Sequence, residues 1–241
     1  MISLLAHADH PVAAPLEDTS VERLLGAAVR RGDERVLDLG CGEGAWLLRT
    51  LTAHPGARAE GVDVSAGALE RARERAEEAG VAERLTLRLA EGAAFRAQEP
   101  FDVVLCVGAS HAFGGLLPTL AAAREHLAPG GVALVGDAYW QAEPSAWARE
   151  MLGEYEDLAG TVDAVVADGW VPVYGHASSR EELDTYEWRW TGSLSRWALD
   201  HAGTEDAAQA LEAAARHRDE WLRGYRDSFG FLCLVLRRAG E

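Results

Sequence analysis

The sequence has no lysine, and acidic residues outnumber basic ones. All 23 basic residues are arginines, against 39 Asp and Glu, so the 241-residue chain carries a formal net charge of −16. Nucleic acids and anionic lipids are bound by clustered Lys and Arg. The composition therefore predicts neither a nucleic-acid nor a membrane partner, and it favours a small-molecule substrate.

Cysteine and long apolar runs are also scarce. Cys41, Cys106 and Cys233 show no C-x-x-C spacing and join no His/Cys cluster of the zinc type, so we expect buried, reduced thiols and no metal site. No apolar run reaches the roughly 18 residues of a membrane span, and residues 1 to 6 lack the basic start of a signal peptide. These absences predict a cytoplasmic protein, either a monomer or a homodimer.

Strand and helix patterns alternate along the first 140 residues, as in a parallel, doubly wound α/β sheet. The apolar patterns predict strands at 35–39, 58–62, 85–89, 101–107 and 132–136. Thr19 and Glu22 have the spacing of a capping box, which predicts a first helix from about residue 20. Pro129-Gly130-Gly131 predicts a turn into the fifth strand.

The pattern changes beyond residue 138. A short helix is predicted at 161–168, and strands are predicted at 170–174 and 229–237. About fifty residues of helical, aromatic-rich sequence separate these two strands, which is too long for a simple connection. We therefore expect residues 178–228 to form a helical insertion within a single domain spanning residues 1–241.

The segment VLDLGCGEG, residues 36–44, joins a predicted strand to a predicted helix through Gly40, Gly42 and Gly44. Glycines allow positive φ angles and a close approach of backbone amides to a ligand, and a helix N-terminus favours an anionic group. A carboxylate, Asp63, follows at the end of the second strand, where it is placed to bind a ribose diol. The combination predicts a nucleotide-type cofactor.

Two cofactor classes use such a turn. A dinucleotide fold normally has G-x-G-x-x-G, whereas this chain has Gly40-x-Gly42-x-Gly44 and places a carboxylate, Asp38, inside the end of the strand. These differences disfavour NAD(P) but leave it as an alternative.

At these positions the chain resembles the class I S-adenosylmethionine-dependent methyltransferase family. The similar segments, in family order, are VLDLGCGEG (36–44), GVDVS (61–65), Glu91-Gly92-Ala93, FDVVLCVGAS (101–110) and LAPGGVALVGD (127–137). The segments 110–115, 136–140 and 185–190 are similar to an uncharacterised bacterial branch of that family. The resemblance implies a Rossmann-like α/β sheet of seven strands in the order 3-2-1-4-5-7-6, with the last strand antiparallel.

The resemblance also implies S-adenosylmethionine as cofactor and S-adenosylhomocysteine as product. It implies that the glycine loop cradles the amino-acid end of the cofactor, that Asp63 binds the ribose and that residues 91–93 border the adenine. The expected cofactor-binding residues are Asp38, Gly40, Cys41, Gly42, Asp63, Val64, Glu91, Gly92, Ala93, Val107 and Gly108.

His111 is the candidate catalytic residue, because it follows the fourth strand by a few residues, at the edge where this fold presents reactive groups. An imidazole can accept a proton at neutral pH, so His111 is either a general base or a residue with a structural or binding role.

Seven of the eight Trp and all five Tyr follow residue 138. Aromatic faces suit a sulfonium, an amine or an aromatic substrate, so the insertion is expected to form a substrate lid. Individual tryptophans can alternatively hold the inserted helices in place. Asp137 and Glu187 are placed to meet a cationic substrate, although a solvated or capping role is the alternative for Glu187. The expected substrate-binding residues are His111, Tyr139, Trp140, Tyr186, Trp188 and Trp190.

The predicted function is methyl transfer from S-adenosylmethionine to a nitrogen or oxygen of a small molecule. The main alternative is an enzyme that cyclises the cofactor's own aminobutyl portion by intramolecular alkylation. An NAD(P)-dependent oxidoreductase and a non-catalytic nucleoside sensor are further alternatives.

Overall fold

The computed structural model describes residues 2–7, 9–10 and 12–240. The helices are α1 (Ile2–Ala6), α2 (Asp18–Ala28), α3 (Ala45–Ala53), α4 (Ala66–Glu78), α5 (Leu116–His126), α6 (Ala146–Leu152), α7 (Leu158–Ala167), α8 (Arg180–Asp200) and α9 (Glu205–Glu220). The strands are β1 (Arg35–Leu39), β2 (Arg58–Asp63), β3 (Leu85–Leu89), β4 (Phe101–Val107), β5 (Leu127–Trp140), β6 (Trp170–Ala177) and β7 (Phe229–Arg238). Short 3₁₀ turns occupy Ala82–Arg84 and Ser110–Phe113, and a π-helical turn spans Trp221–Tyr225.

The seven strands form one sheet in the order β3-β2-β1-β4-β5-β7-β6, which confirms the predicted order. The first five strands pair in parallel. Strand β7 is antiparallel: the amide of Ser178, just after β6, donates to the carbonyl of Phe231 near the start of β7, and the amide of Ala239 donates to Gly169 at the opposite ends.

The central strands β1 and β4 are apolar because helices cover both faces of a doubly wound sheet. Val36, Leu37 and Leu39 of β1 are fully buried, and Val104 and Leu105 of β4 are buried beside them. Asp38 lies opposite Gly61 on β2 and Leu105 on β4, so this carboxylate sits in the middle of the sheet.

Two local predictions are wrong. Residues 129–131 do not form a turn before β5, because β5 already starts at Leu127. Gly130 adopts φ +73°, and the pairing with β4 shifts register between Phe101 and Val103, so an irregularity in the strand takes the place of the turn. Thr19 is not an N-cap: α2 starts at Asp18, whose negative charge suits the positive end of the helix dipole.

The chain forms two compact units. The sheet unit comprises the described residues of Asp18–Asp137, Val162–His176 and Leu232–Glu241, and the helical unit those of Met1–Glu17, Ala138–Thr161 and Ala177–Phe231. Residues 178–228, the predicted insertion, contain α8, α9 and the π-helical turn and lie in the helical unit.

Alanines let the helices of the helical unit approach closely. One apolar cluster joins Ala6, Leu194 and Ala198 to Ala207, Ala210, Ala213 and Ala214. Within the described part of the chain, no helix is long and apolar enough to cross a bilayer. The three cysteines are buried and form no disulfide with one another, and burial raises the pKa of the Cys41 and Cys106 thiols.

Candidate functional site

The glycine loop leaves β1 and enters α3 through three left-handed residues. Gly40, Gly42 and Gly44 have φ angles of +86°, +52° and +73°, a region that favours glycine. A Cβ on Gly40 would lie 2.5 Å from the Cβ of Ala109, whereas one on Gly42 would meet no atom within 4 Å. The loop is therefore packed tightly at its start and open at Gly42.

Asp63 braces the loop from the end of β2. Its Oδ2 accepts a hydrogen bond from the Gly42 amide at 2.8 Å, and its Oδ1 accepts one from the Ser65 amide at 2.8 Å. Ser65 in turn caps α4. Each carboxylate oxygen retains a second lone pair, so Asp63 can still accept the hydroxyl groups of a ribose diol.

Asp38 is a buried carboxylate beside the loop. It is 3 % exposed, and none of the described residues donates a hydrogen bond to it. Burial, with a contribution from the negative charge of Asp63, raises the pKa of Asp38 to about 8. A cation bound here would favour the ionised form and satisfy the carboxylate.

The other predicted cofactor residues converge on the same edge of the sheet unit. The amide of Ala90, next to Glu91, donates to the carbonyl of Asp63, and a Cβ on Gly92 would lie 2.8 Å from the ring of Phe113. Val64 is 68 % exposed, which leaves an apolar surface beside Asp63. Val107 ends β4, and Gly108 follows it directly before Ala109, the residue that packs on Gly40.

These residues fit a nucleoside whose amino-acid chain carries a cationic ammonium group. The open space at Gly42 and the unpartnered carboxylate of Asp38 suit the cationic end, and Asp63 with the exposed Val64 suits the ribose and the base.

Comparison with known proteins agrees with this geometry. A family model described as a methyltransferase domain matches residues 37–133. A methyltransferase from Geobacter sulfurreducens, solved as an S-adenosylmethionine-dependent methyltransferase in complex with S-adenosylhomocysteine, superimposes with a TM-score of 0.90 at 25 % identity, over 98 % of this chain and 97 % of that one. The family model and this solved structure support a class I S-adenosylmethionine-dependent methyltransferase. The chain is an enzyme that uses S-adenosylmethionine.

Two further relatives cover most of this methyltransferase. The uncharacterized protein YjhP of Escherichia coli K12 is 27 % identical over 236 residues, 95 % of each chain, and its crystal structure superimposes with a TM-score of 0.89. The 27-O-demethylrifamycin SV methyltransferase of Amycolatopsis mediterranei is 28 % identical over 211 residues, 84 % of this chain and 76 % of that one.

His111 lies on the 3₁₀ turn after β4 of the methyltransferase, in the sheet unit. Its side chain is exposed, and none of the described residues forms a hydrogen bond to its ring. Its backbone carbonyl accepts from the Gly114 amide at 3.4 Å, and Gly114 and Gly115 both adopt positive φ angles. The glycines thus form the turn that carries the histidine.

The predicted aromatic residues occupy different environments within the helical unit. Tyr139 and Trp140 are each 4 % exposed, and Trp140 packs in an apolar cluster with Ala148, Trp221 and Tyr225. The Trp140 Nε1 atom is buried without a hydrogen-bond partner. Trp140 therefore has a buried N–H donor without an acceptor among the described residues.

The aromatic residues of α8 are less deeply buried than those of β5. Trp188 is 52 % exposed. The Tyr186 hydroxyl lies 3.0 Å from Nε2 of His7, and Trp190 stacks on His217 with ring centroids 3.8 Å apart.

Sequence reasoning missed a buried polar network around Glu187. Its Oε1 accepts from the Tyr225 hydroxyl at 2.9 Å, and its Oε2 lies 2.6 Å from Nε2 of His217. Glu187 is 7 % exposed, so it is neither solvated nor a helix cap. A signal was available, because Glu187 shares one face of α8 with the buried Leu183 and Leu194.

Proposed function

We propose that this methyltransferase transfers the methyl group of S-adenosylmethionine to a nitrogen or oxygen of a small molecule. The observation that carries the proposal is the similarity to the 27-O-demethylrifamycin SV methyltransferase over 211 residues, because that length exceeds the Asp18–Asp137 segment of the sheet. The similarity therefore extends beyond the segment that carries the candidate cofactor-binding residues. The net charge of −16 further disfavours nucleic acids as substrates.

In this proposal Asp38 and Asp63 orient the cofactor. The cofactor supplies a sulfonium methyl that is already electrophilic, so catalysis depends mainly on placing the nucleophile in line and excluding water. Ionised Asp38 would bind the cationic end, and Asp63 would hold the ribose diol while bracing Gly42. Gly40 and Cys41 would contribute backbone atoms near the amino-acid end of the cofactor. The residues beside the adenine would be Val64, Glu91, Gly92 and Ala93. Val107 and Gly108 would border the cofactor at the end of β4.

We assign His111 the role of proton acceptor. Its ring is exposed and makes no hydrogen bond to any described residue, so one ring nitrogen is available to an acceptor's hydroxyl or ammonium group. For a hydroxyl acceptor, the proton would move to the ring as the bond to the methyl group forms and the methyl–sulfur bond breaks. An ammonium acceptor would lose its proton to the ring before methyl transfer.

We assign acceptor recognition to the aromatic residues, including those of the insertion at 178–228. The exposed indole of Trp188 offers an apolar face, and the unpartnered Nε1 of Trp140 offers a donor. Tyr139, Tyr186 and Trp190 complete the proposed set.

The test is to incubate the enzyme and S-adenosylmethionine with panels of amines, phenols and alcohols, and to measure S-adenosylhomocysteine and the methylated product by mass spectrometry. We expect product with at least one panel and none with transfer RNA. Turnover that requires a nucleic acid would overturn the proposal. A cyclic amino acid formed from S-adenosylmethionine alone would do so in favour of intramolecular alkylation.

A further inference from the structure

Glu43 is the longest side chain of the glycine loop, and it points to α4. Its Oε1 accepts a hydrogen bond from Nε of Arg71 at 2.7 Å, and its Oε2 forms an ion pair with Nη1 of Arg75. The two arginines are four residues apart, so they lie side by side on one face of the helix. The loop is thereby joined to α4 by one carboxylate held between two guanidinium groups.

This cluster differs from the surface ion pairs of the chain. The Glu43 side chain is only 14 % exposed, and the two arginine side chains are about one third exposed. Across the described ranges, Glu43 is the one carboxylate within ion-pair distance of Arg71 or Arg75. Exposed pairs contribute little, but removing one member of a shielded cluster leaves unpaired charges behind. Loss of Glu43 would leave two adjacent guanidinium groups facing the loop.

The loop needs such an anchor because its own backbone is permissive. Gly42 and Gly44, with left-handed φ angles, flank Glu43 on either side. The Gly42 amide is fixed by Asp63, and the Gly44 amide bonds only within the loop, to Cys41. Glycines readily adopt other conformations. The Glu43 side chain therefore holds this part of the loop to a rigid helix.

We propose that Glu43 is a positioning residue, clamped by Arg71 and Arg75, that fixes the glycine loop in the conformation receiving the amino-acid end of the cofactor. This inference rests on the proposed assignment of that end to the loop. Fixing the loop before binding lowers the entropy lost on binding. Glu43 then determines affinity for the amino-acid chain of the cofactor and leaves affinity for the nucleoside unchanged.

The test compares two probes that differ in the amino-acid chain. S-adenosylhomocysteine carries it, and 5′-methylthioadenosine lacks it. By calorimetry, Glu43→Gln should bind S-adenosylhomocysteine about 10-fold more weakly, with less than about a 2-fold change for 5′-methylthioadenosine. Glu70→Gln is the matched control, because it removes an exposed pair with Arg73 on the same helix and should change neither affinity.

A purely structural role for Glu43 predicts different results. In that case Glu43→Gln would weaken the binding of both probes equally, or of neither probe, and either result overturns the proposal. Hydrogen exchange without ligand gives a second measurement: the 39–46 segment should exchange faster in Glu43→Gln while β4 is unchanged, and unaltered loop exchange would also overturn the proposal. If Glu43→Gln does not fold, Arg75→Gln, which retains the Arg71 contact, takes its place, with a smaller loss expected. Wild-type protein that fails to bind S-adenosylhomocysteine would instead overturn the proposed cofactor site itself.

Discussion

Asp63 has a structural role in the glycine loop, and we propose a ligand-binding role for the same side chain. Its carboxylate already accepts amides from Gly42 and Ser65, so a ligand hydroxyl would meet an oriented acceptor. Removing it would cost the ligand contact and also loosen the loop. The position of Asp63 at the end of β2 could be predicted from the sequence. Its bridging role could not, because the spacing to Gly42 says nothing of side-chain direction.

We predict that Asp63→Ala weakens S-adenosylhomocysteine binding by about 1 to 3 kcal/mol, the scale of a lost charge-assisted hydrogen-bond pair. Calorimetry measures the dissociation constant. Glu60→Gln, on the same strand, is the control and should bind normally, because its partner is the exposed Arg88. An unchanged constant for Asp63→Ala would remove the ribose assignment.

Asp38 should make the stability of the ligand-free protein pH-dependent. Its pKa is raised from 3.8 to about 8 in the folded state, so between these values the folded protein retains a proton that the unfolded chain has lost. The free energy of unfolding therefore falls as the pH rises through this window, by at most about 1.4 kcal/mol for each pH unit from this group.

We predict that Asp38→Asn removes this part of the pH dependence. Urea unfolding of wild type and variant at pH 5 and pH 7.5, without cofactor, should show the variant gaining relative stability at the higher pH. The same difference between the two proteins at both pH values would mean that Asp38 is ionised and stabilised in the free enzyme.

At the scale of elements, the sheet was predictable and the helical unit much less so. Strands β1, β3 and β4 match their predicted bounds, because β1 and β4 are mostly apolar runs and β3 alternates Leu with Thr or Arg. Strand β5 was predicted five residues too late, because Pro129-Gly130-Gly131 has the composition of a turn and only the paired neighbour shows that it is extended. The partners of Glu187 lie 30 and 38 residues away, on α9 and on the π-helical turn, and no local pattern reports such a separation.

The hydrogen-bonded network around Glu187 is expected to contribute to the free energy of unfolding. Glu187 is buried between the Tyr225 hydroxyl and the imidazole of His217. The pKa of Tyr225 is raised, mainly by burial and secondly by the nearby charge of Glu187. Breaking a buried pair by removing one partner is strongly destabilising, since the other is left without compensation.

We predict that His217→Ala lowers the free energy of unfolding by about 3 kcal/mol. Tyr225→Phe, which removes one hydrogen bond and little volume, should cost about 1 kcal/mol. Urea unfolding monitored by circular dichroism checks both values, with Glu212→Gln on the exposed face of α9 as the neutral control. Loss of less than about 0.5 kcal/mol in His217→Ala would show that the network contributes no net stability.

At the scale of the whole molecule, the charge and the fold of the enzyme determine which ligands bind the folded state and thereby stabilise it. A ligand that binds only the folded state raises the free energy of unfolding by RT ln(1 + [L]/Kd), which is about 2.7 kcal/mol at 100 times Kd. The glycine spacing alone left NAD as an alternative cofactor. In the proposed site, the buried carboxylate of Asp38, just before the glycine loop, would favour the ammonium group of the amino-acid chain over the negative pyrophosphate of a dinucleotide.

We therefore predict that S-adenosylhomocysteine at 100 times Kd raises the melting temperature by about 5 to 11 °C, because in a chain of this size each kcal/mol raises it by about 2 to 4 °C. NAD at the same concentration should leave it unchanged. The comparison also tests the role of Asp38, because Asp38→Asn removes the charge proposed to bind the ammonium group: the shift with S-adenosylhomocysteine should shrink in this variant. A shift with NAD in the wild-type protein would mean that the pocket tolerates a pyrophosphate beside Asp38, which its buried carboxylate argues against.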